Sequence, residues 1–224
     1  MSKRLCAVFL ALVAMASIGS AATASCDNVG VPVNVVSLTV TCGGLTFSNF
    51  TVVDAGGAPS PVVNLTGATY ANGIALLTFN PNMSVLAGNV ADIYLFFTVT
   101  GGINQIDLSV GGSRSSVVES VCTKEFTSGG GCTGSLLSQA TVYSSTPNQP
   151  IWADPFTLTN PVYIYKDINV DGRESRIFGA PANGALSGFT QSFHTAVPEP
   201  MTLSMMGIGL LGLGLVRRRQ QGKK

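Results

Sequence analysis

Ile93-Tyr94-Leu95-Phe96-Phe97-Thr98-Val99-Thr100, then Gly101-Gly102, then Ile103-Asn104-Gln105-Ile106-Asp107-Leu108-Ser109-Val110: two runs rich in β-branched and aromatic residues, parted by a glycine pair. Such residues suit a pleated, half-buried surface, and a Gly-Gly pair supplies the positive φ angles of a tight turn. The stretch predicts two strands joined as a hairpin. Runs of the same kind recur on both sides, at Val33 to Thr41, Leu45 to Val53 and Ile74 to Phe79 before it. Ser115 to Val121, Leu137 to Tyr143, Phe156 to Thr159, Val162 to Ile168 and Gly188 to Thr195 follow it, with Gly, Pro and Asn between them. About ten short strands with turn signals, and no long segment of helical period, predict an all-β body: an antiparallel β-sandwich or jelly roll. Gly129-Gly130-Gly131 and the polar connection Ser144 to Pro150 read as exposed loops.

The chain divides into three parts. Lys3 and Arg4 precede an apolar stretch from Leu5 to Ile18, then small residues and an Ala-x-Ala pattern at Ala22 and Ala24. This is the order of a secretory signal peptide, residues 1–24, with cleavage after Ala24. The apolar stretch is shorter than the roughly 17 residues that spanning a bilayer needs. Cys26 raises a lipoprotein alternative, which Thr23, Ala24 and Ser25 disfavour because no Leu stands where a lipobox has one. Residues 25–195 form the sandwich, and about 170 residues bury a sizeable core as one domain. Residues 196–224 form a tail: Pro198-Glu199-Pro200, an apolar run over 201–216, and a basic end over 217–224 opened by Arg217, Arg218 and Arg219. As a helix the run covers about 24 Å, a little short of a hydrocarbon core about 30 Å thick. The arginines stay on the cytoplasmic side, leaving the body outside. Glycines at 207, 209, 212 and 214 weaken the span, as suits a transient anchor.

The net charge of +1 conceals an acidic body. Seven of the twelve basic residues lie in the two end segments, so between Ser25 and Val197 five basic residues face ten acidic ones, a balance of −5. A nucleic-acid binder is expected to show a basic patch, and none is visible. Cys6 lies in the signal peptide, leaving Cys26, Cys42, Cys122 and Cys132 for two disulfides in an oxidising compartment. Three connectivities are open, and proximity favours Cys26 with Cys42 and Cys122 with Cys132.

Val197-Pro198-Glu199-Pro200, the apolar span and the arginine cluster resemble the tail of PEP-CTERM proteins. That resemblance implies recognition of the Pro-Glu-Pro by exosortase, an integral membrane protease, after export through the Sec translocon and signal peptidase. The body also resembles a recurrent group of that set, through Gly43-Gly44-Leu45-Thr46-Phe47-Ser48-Asn49-Phe50 and Tyr165-Lys166-Asp167-Ile168. This implies a shared fold and brings no biochemical activity. In organisms with PEP-CTERM proteins the system accompanies exopolysaccharide production, which makes exopolysaccharide a partner the resemblance suggests.

Candidate chemistry is sparse. The single histidine, His194, sits beside the tail with no reacting partners nearby in sequence, which argues against a nucleophilic triad. Asp167-Ile168-Asn169-Val170-Asp171-Gly172 matches the first half of a calcium loop, offering Asp167, Asn169 and Asp171. The second half fails, because Phe178 stands where a bidentate Glu belongs; a strand end with Asn, Asp and Gly at the bend explains the same residues. Calcium aside, no cofactor is expected. Tyr70, Tyr143, Trp152, Tyr163 and Tyr165 are candidates for a sugar-stacking platform or for core. The sequence thus predicts an exported, transiently anchored, then surface or extracellular protein, structural or adhesive and without catalysis. The alternatives are a lectin-like sandwich and, third, a carboxylate-dependent glycoside hydrolase.

Overall fold

A computed structural model of the chain describes residues 22–26, 32–58, 61–144 and 154–195. In chain order the strands are β1 (Ala22–Ser25), β2 (Val33–Asn34), β3 (Leu38–Cys42), β4 (Leu45–Gly56), β5 (Asn64–Ala71), β6 (Ile74–Asn80) and β7 (Met83–Val85). They continue with β8 (Val90–Thr100), β9 (Ile103–Ser113), β10 (Ser115–Cys122), β11 (Leu136–Tyr143), β12 (Asp154–Thr159), β13 (Val162–Asp171) and β14 (Gly184–His194). One sheet, A, runs β1-β3-β4-β8-β13-β10-β11; the other, B, runs β12-β9-β14-β6-β5-β2, with β7 against one end of β14. Every pairing is antiparallel except β1 with β3.

Period-two alternation sets which side chains meet between the sheets. On β8, Ala91, Ile93, Leu95, Phe97 and Val99 are buried while the residues between them are not. Rings bridge the layers: Phe47 of β4 lies 4.8 Å, edge on, from Phe193 of β14, and Phe97 of β8 lies 6.2 Å from Phe79 of β6. Phe79 stacks in turn on Phe189 at 5.0 Å. Each such buried ring contributes roughly 1.5–3 kcal/mol relative to exposure, and its ring contacts add to that.

The glycine pair at Gly101 and Gly102 does not close a hairpin. β8 belongs to sheet A and β9 to sheet B, so the turn, with φ of 111° and 79°, arches from one sheet to the other. A two-residue hairpin would set Thr100 directly opposite Ile103, and opposed residues share a face. Thr100 is exposed and Ile103 is fully buried, which only an arch allows. Gly101 is required there because a Cβ would lie 2.4 Å from the Gly44 carbonyl oxygen.

Other departures are local. The run Val33 to Thr41 breaks into β2 and β3 in different sheets, because Asn34 Oδ1 accepts from Val36 N and Ser37 takes φ of 65°. Strand β5 has no counterpart among the runs predicted from sequence. Its Gly67 and alanines carry a weak strand signal, although Asn72-Gly73, with φ of 52° and 80°, closes its hairpin to β6. Strand β1 straddles the expected cleavage position after Ala24. Cys26 is bonded to Cys42 with Cα atoms 5.1 Å apart, and Cys122 to Cys132 at 5.9 Å, the pairing with the shortest loops.

Candidate functional site

The outer face of sheet A carries an aromatic cluster beside a cleft. Alternation turns Tyr94, Phe96 and Thr98 of β8 outward, beside Tyr163, Tyr165 and Asp167 of β13. The Cys122–Cys132 loop folds back over this face and sets Phe126 5.5 Å from Tyr165, whose ring is 5.2 Å from Phe96. The loop holds its own shape: Thr127 N donates to the Gly131 carbonyl at 2.8 Å, and Gly131 N to Thr127 Oγ1 at 3.0 Å. Gly130, at φ of 80°, lets it close on Tyr165, since a Cβ there would lie 2.3 Å from Tyr165 Cζ.

Between this loop and β4 lies a cleft of about 350 Å³ lined by Asn49, Thr51, Phe96, Thr98, Phe126 and Tyr163, among others. Its β4 wall is shaped by a bulge after Ser48, where Asn49 takes φ of 58° and donates through Nδ2 to Thr98 Oγ1 at 3.4 Å. Half-buried rings beside hydroxyl and amide groups suit a small polar ligand with an apolar face. Sequence reasoning named Tyr163 but missed Phe96 and Phe126, whose approach depends on the disulfide loop. The five predicted aromatics do not form one platform: Tyr165 is buried, Tyr143 packs against Phe178, and Tyr70 is on sheet B. Trp152 lies outside the described residues.

Asp167, Asn169 and Asp171 are not on a loop. They occupy alternate positions of the extended strand β13, which spaces neighbours on one face by roughly 6–7 Å and cannot wrap them around a cation. Their partners differ: Asp171 accepts from Arg173 Nε at 3.0 Å, whereas Asp167 shares a hydrogen bond with Asp92 of β8. Burial, then the charge of Asp167 and that of Asp54, pushes Asp92 up to about 7. A carboxyl pair in direct hydrogen bond is also too close for glycoside cleavage, where the two groups stand about 5 Å or more apart to admit the sugar. Among the described residues no group of three or more His, Cys, Asp or Glu is arranged to hold a metal ion.

His194 has neighbours that sequence did not reveal. Its Nε2 lies 2.7 Å from Asp107 Oδ2 and 3.2 Å from Ser192 Oγ, and Ser192 Oγ donates to the same Asp107 oxygen at 2.8 Å. A nucleophilic triad needs the acid on one ring nitrogen and the serine on the other. Here both partners crowd Nε2 and the serine proton points at the acid, so the cluster fastens the end of β14 to β9.

Inside the sandwich, Glu119 of β10 and Lys166 of β13 face each other in register, and Gln191 of β14 reaches them from sheet B. All three are fully buried. Lys166 Nζ lies 3.0 Å from Glu119 Oε1, and Gln191 Nε2 donates to that same oxygen. Burial raises Glu119 and lowers Lys166, each opposed in part by the other's charge. The strand patterns place Glu119 and Lys166 at core positions, Lys166 between Ile164 and Ile168, so this polar inclusion was readable as charges at inward sites.

Pro198, Glu199, Pro200 and Arg217 to Arg219, with the apolar run 201–216, lie outside the described residues. Among the described residues no helix is long and apolar enough to cross a membrane. Residues 196–219 match the PEP-CTERM protein-sorting motif. No curated protein matches the chain. Among solved structures, TmCBM61 in complex with β-1,4-galactotriose aligns over 64% of this chain and 88% of that one, at 9% identity and a TM-score of 0.32. A likeness that slight carries no argument about ligand. No catalytic family emerges from these comparisons.

Proposed function

We propose that this PEP-CTERM protein is a non-catalytic component of the cell surface or extracellular matrix, structural or adhesive, which exosortase sorts through its tail. The observation that carries the reading is the sorting motif over residues 196–219, ahead of which stands a β-sandwich stapled by two disulfides. Disulfides belong to an oxidising compartment, consistent with export. Exosortase meets the chain while the apolar run holds it in the membrane, and the body then passes to the surface or beyond.

The test is to replace Pro198, Glu199 and Pro200 by alanine in producing cells and compare fractions by intact mass. The native chain is expected at the surface or in the medium, starting at Ser25 and ending near Pro198. The variant is expected in the membrane fraction, retaining Met201 to Lys224. Equal release of both chains would overturn the sorting role.

A second reading, glycan binding, is favoured by the cleft of Phe96, Phe126 and Tyr163 beside Asn49, Thr51 and Thr98. A sugar ring would lie on the aromatic faces with its hydroxyls on the polar rim. Affinity electrophoresis in polysaccharide gels tests it: the native body should be retarded and the Phe126→Ala body should run free. Equal mobility of both in every glycan tried would remove this reading and leave the structural one standing.

A further inference from the structure

We propose that Lys166 and Gln191 become joined by an intramolecular amide between Lys166 Nζ and Gln191 Cδ, formed within the folded chain with Glu119 moving the proton. The bond would run from β13 to β14 and so tie sheet A to sheet B.

The geometry carries this. One oxygen, Glu119 Oε1, is 3.0 Å from the amine that would attack and also accepts from the carboxamide nitrogen that would leave. That is where a general acid–base must stand to take a proton from one nitrogen and deliver it to the other. All three side chains are shut off from water, and Phe189 closes over the amine with its ring centre 5.2 Å from Nζ. Two reacting groups gathered on one carboxylate oxygen in a dry site gain the large effective concentrations of intramolecular reactions.

As an unreacted set the three are poorly matched. Glu119 Oε2 and Gln191 Oε1 have no hydrogen-bond partner, and Nζ, an ammonium with three donors, is paired with Glu119 Oε1 at 3.0 Å and has donors to spare. Burying an ammonium with surplus donors is costly, and orphan polar atoms add to that cost. Amide formation removes the ammonium and replaces five N–H bonds by one, which Glu119 can accept. The reactive forms are a neutral amine and a carboxylic acid. Burial favours both, lowering Lys166 and raising Glu119.

The step balances without a co-reactant. Lys166 Nζ, as the free amine, adds to Gln191 Cδ; Glu119 takes a proton from Nζ and gives one to Nε2; the Cδ–Nε2 bond breaks. Lys–NH₂ and Gln–CONH₂ become Lys–NH–CO–Gln and ammonia, with no change of oxidation state. The reaction requires only the folded body, so it stands or falls apart from the function proposed above.

The test is a tryptic map of the native protein from producing cells, reduced and alkylated, read by mass spectrometry. Expected is a branched peptide containing Lys166, uncut at that lysine, and Gln191, lighter than its unlinked parts by one ammonia, about 17 Da. Cleavage after Lys166 with an unmodified Gln191 peptide would overturn the proposal. A branch between Lys166 and Glu119, lighter by one water, would overturn the assignment of the electrophile. Glu119→Gln is expected to abolish the branch, and a branch that persists in it would remove Glu119 from the reaction. Because the native map decides first, a variant that does not fold leaves the proposal testable.

Discussion

Asp92 makes stability depend on pH in a direction opposite to most surface carboxylates, and Asp92→Asn isolates the effect. The folded chain pushes this carboxyl from its ordinary 3.8 up to about 7, mainly by burial and then by the charges of Asp167 and Asp54. A raised carboxyl binds its proton more tightly when folded. Its contribution is fully present below the ordinary value and is lost as pH rises through about 7. At about 1.36 kcal/mol per pKa unit the full shift corresponds to roughly 4 kcal/mol. Asp92 is partly exposed, water screens the interaction, and about 1–2 kcal/mol is the expected remainder. Asn keeps the shape and hydrogen bonds of the protonated acid and does not ionise. The assay is urea unfolding of both chains at pH of about 5 and about 8. Since part of the contribution is already gone at pH of about 5, the native chain should lose about 1 kcal/mol relative to Asp92→Asn between the two conditions. Parallel curves at both pH values would refute the raised Asp92 carboxyl. A variant less stable at the higher pH would refute its sign.

Three further outcomes follow from the packing. Arg114 donates to the carbonyls of Asp171 at 2.8 Å, Phe178 at 2.7 Å and Ala180 at 2.9 Å, and also to that of Arg173. Arg114→Met should cost about 3 kcal/mol, seen as a lower melting temperature, and should speed tryptic cleavage at Arg173 and Arg176. Gly130→Ala sets a Cβ against the Tyr165 ring at an unfavourable φ; it should cost about 1–3 kcal/mol and, by lifting the disulfide loop, shift the tyrosine near-ultraviolet dichroism. Phe79→Ala opens the centre of the ring cluster and should lower the urea-derived stability by about 3–5 kcal/mol.

Much of the fold is legible in alternation, as the strict pattern of β8 illustrates. Its partners are not. Turn chemistry at Gly101-Gly102 is the same for a hairpin and an arch, and only the mismatch of Thr100 with Ile103 tells them apart. Strand β5 escaped because small residues and Gly67 carry little propensity, while the informative signal, Asn72-Gly73, lies just beyond its end. The cleft was less legible than the fold. Phe96 and Phe126 are thirty residues apart and meet Tyr165 through a loop whose closure depends on a disulfide. The Asp167, Asn169 and Asp171 spacing is shared by a cation loop and a strand face, and backbone conformation, which sequence spacing does not encode, decides between them. Asp107 and Ser192 reach His194 only because β9 and β14 pair with Asp107 opposite Ser192.

Strand β14, from which the tail departs, is interior to sheet B, flanked by β9 and β6. Inter-strand hydrogen bonds stand perpendicular to the strands, so tension along β14 loads its two ladders together as shear. An edge strand pulled from one end would instead unzip bond by bond. At the other end, Cys26 is bonded to Cys42, so tension entering there crosses the disulfide to Cys42 and on toward β4, bypassing the residues between the two cysteines. A body held by its tail while its surface engages the surroundings would therefore resist stretching far better than its thermodynamic stability alone suggests.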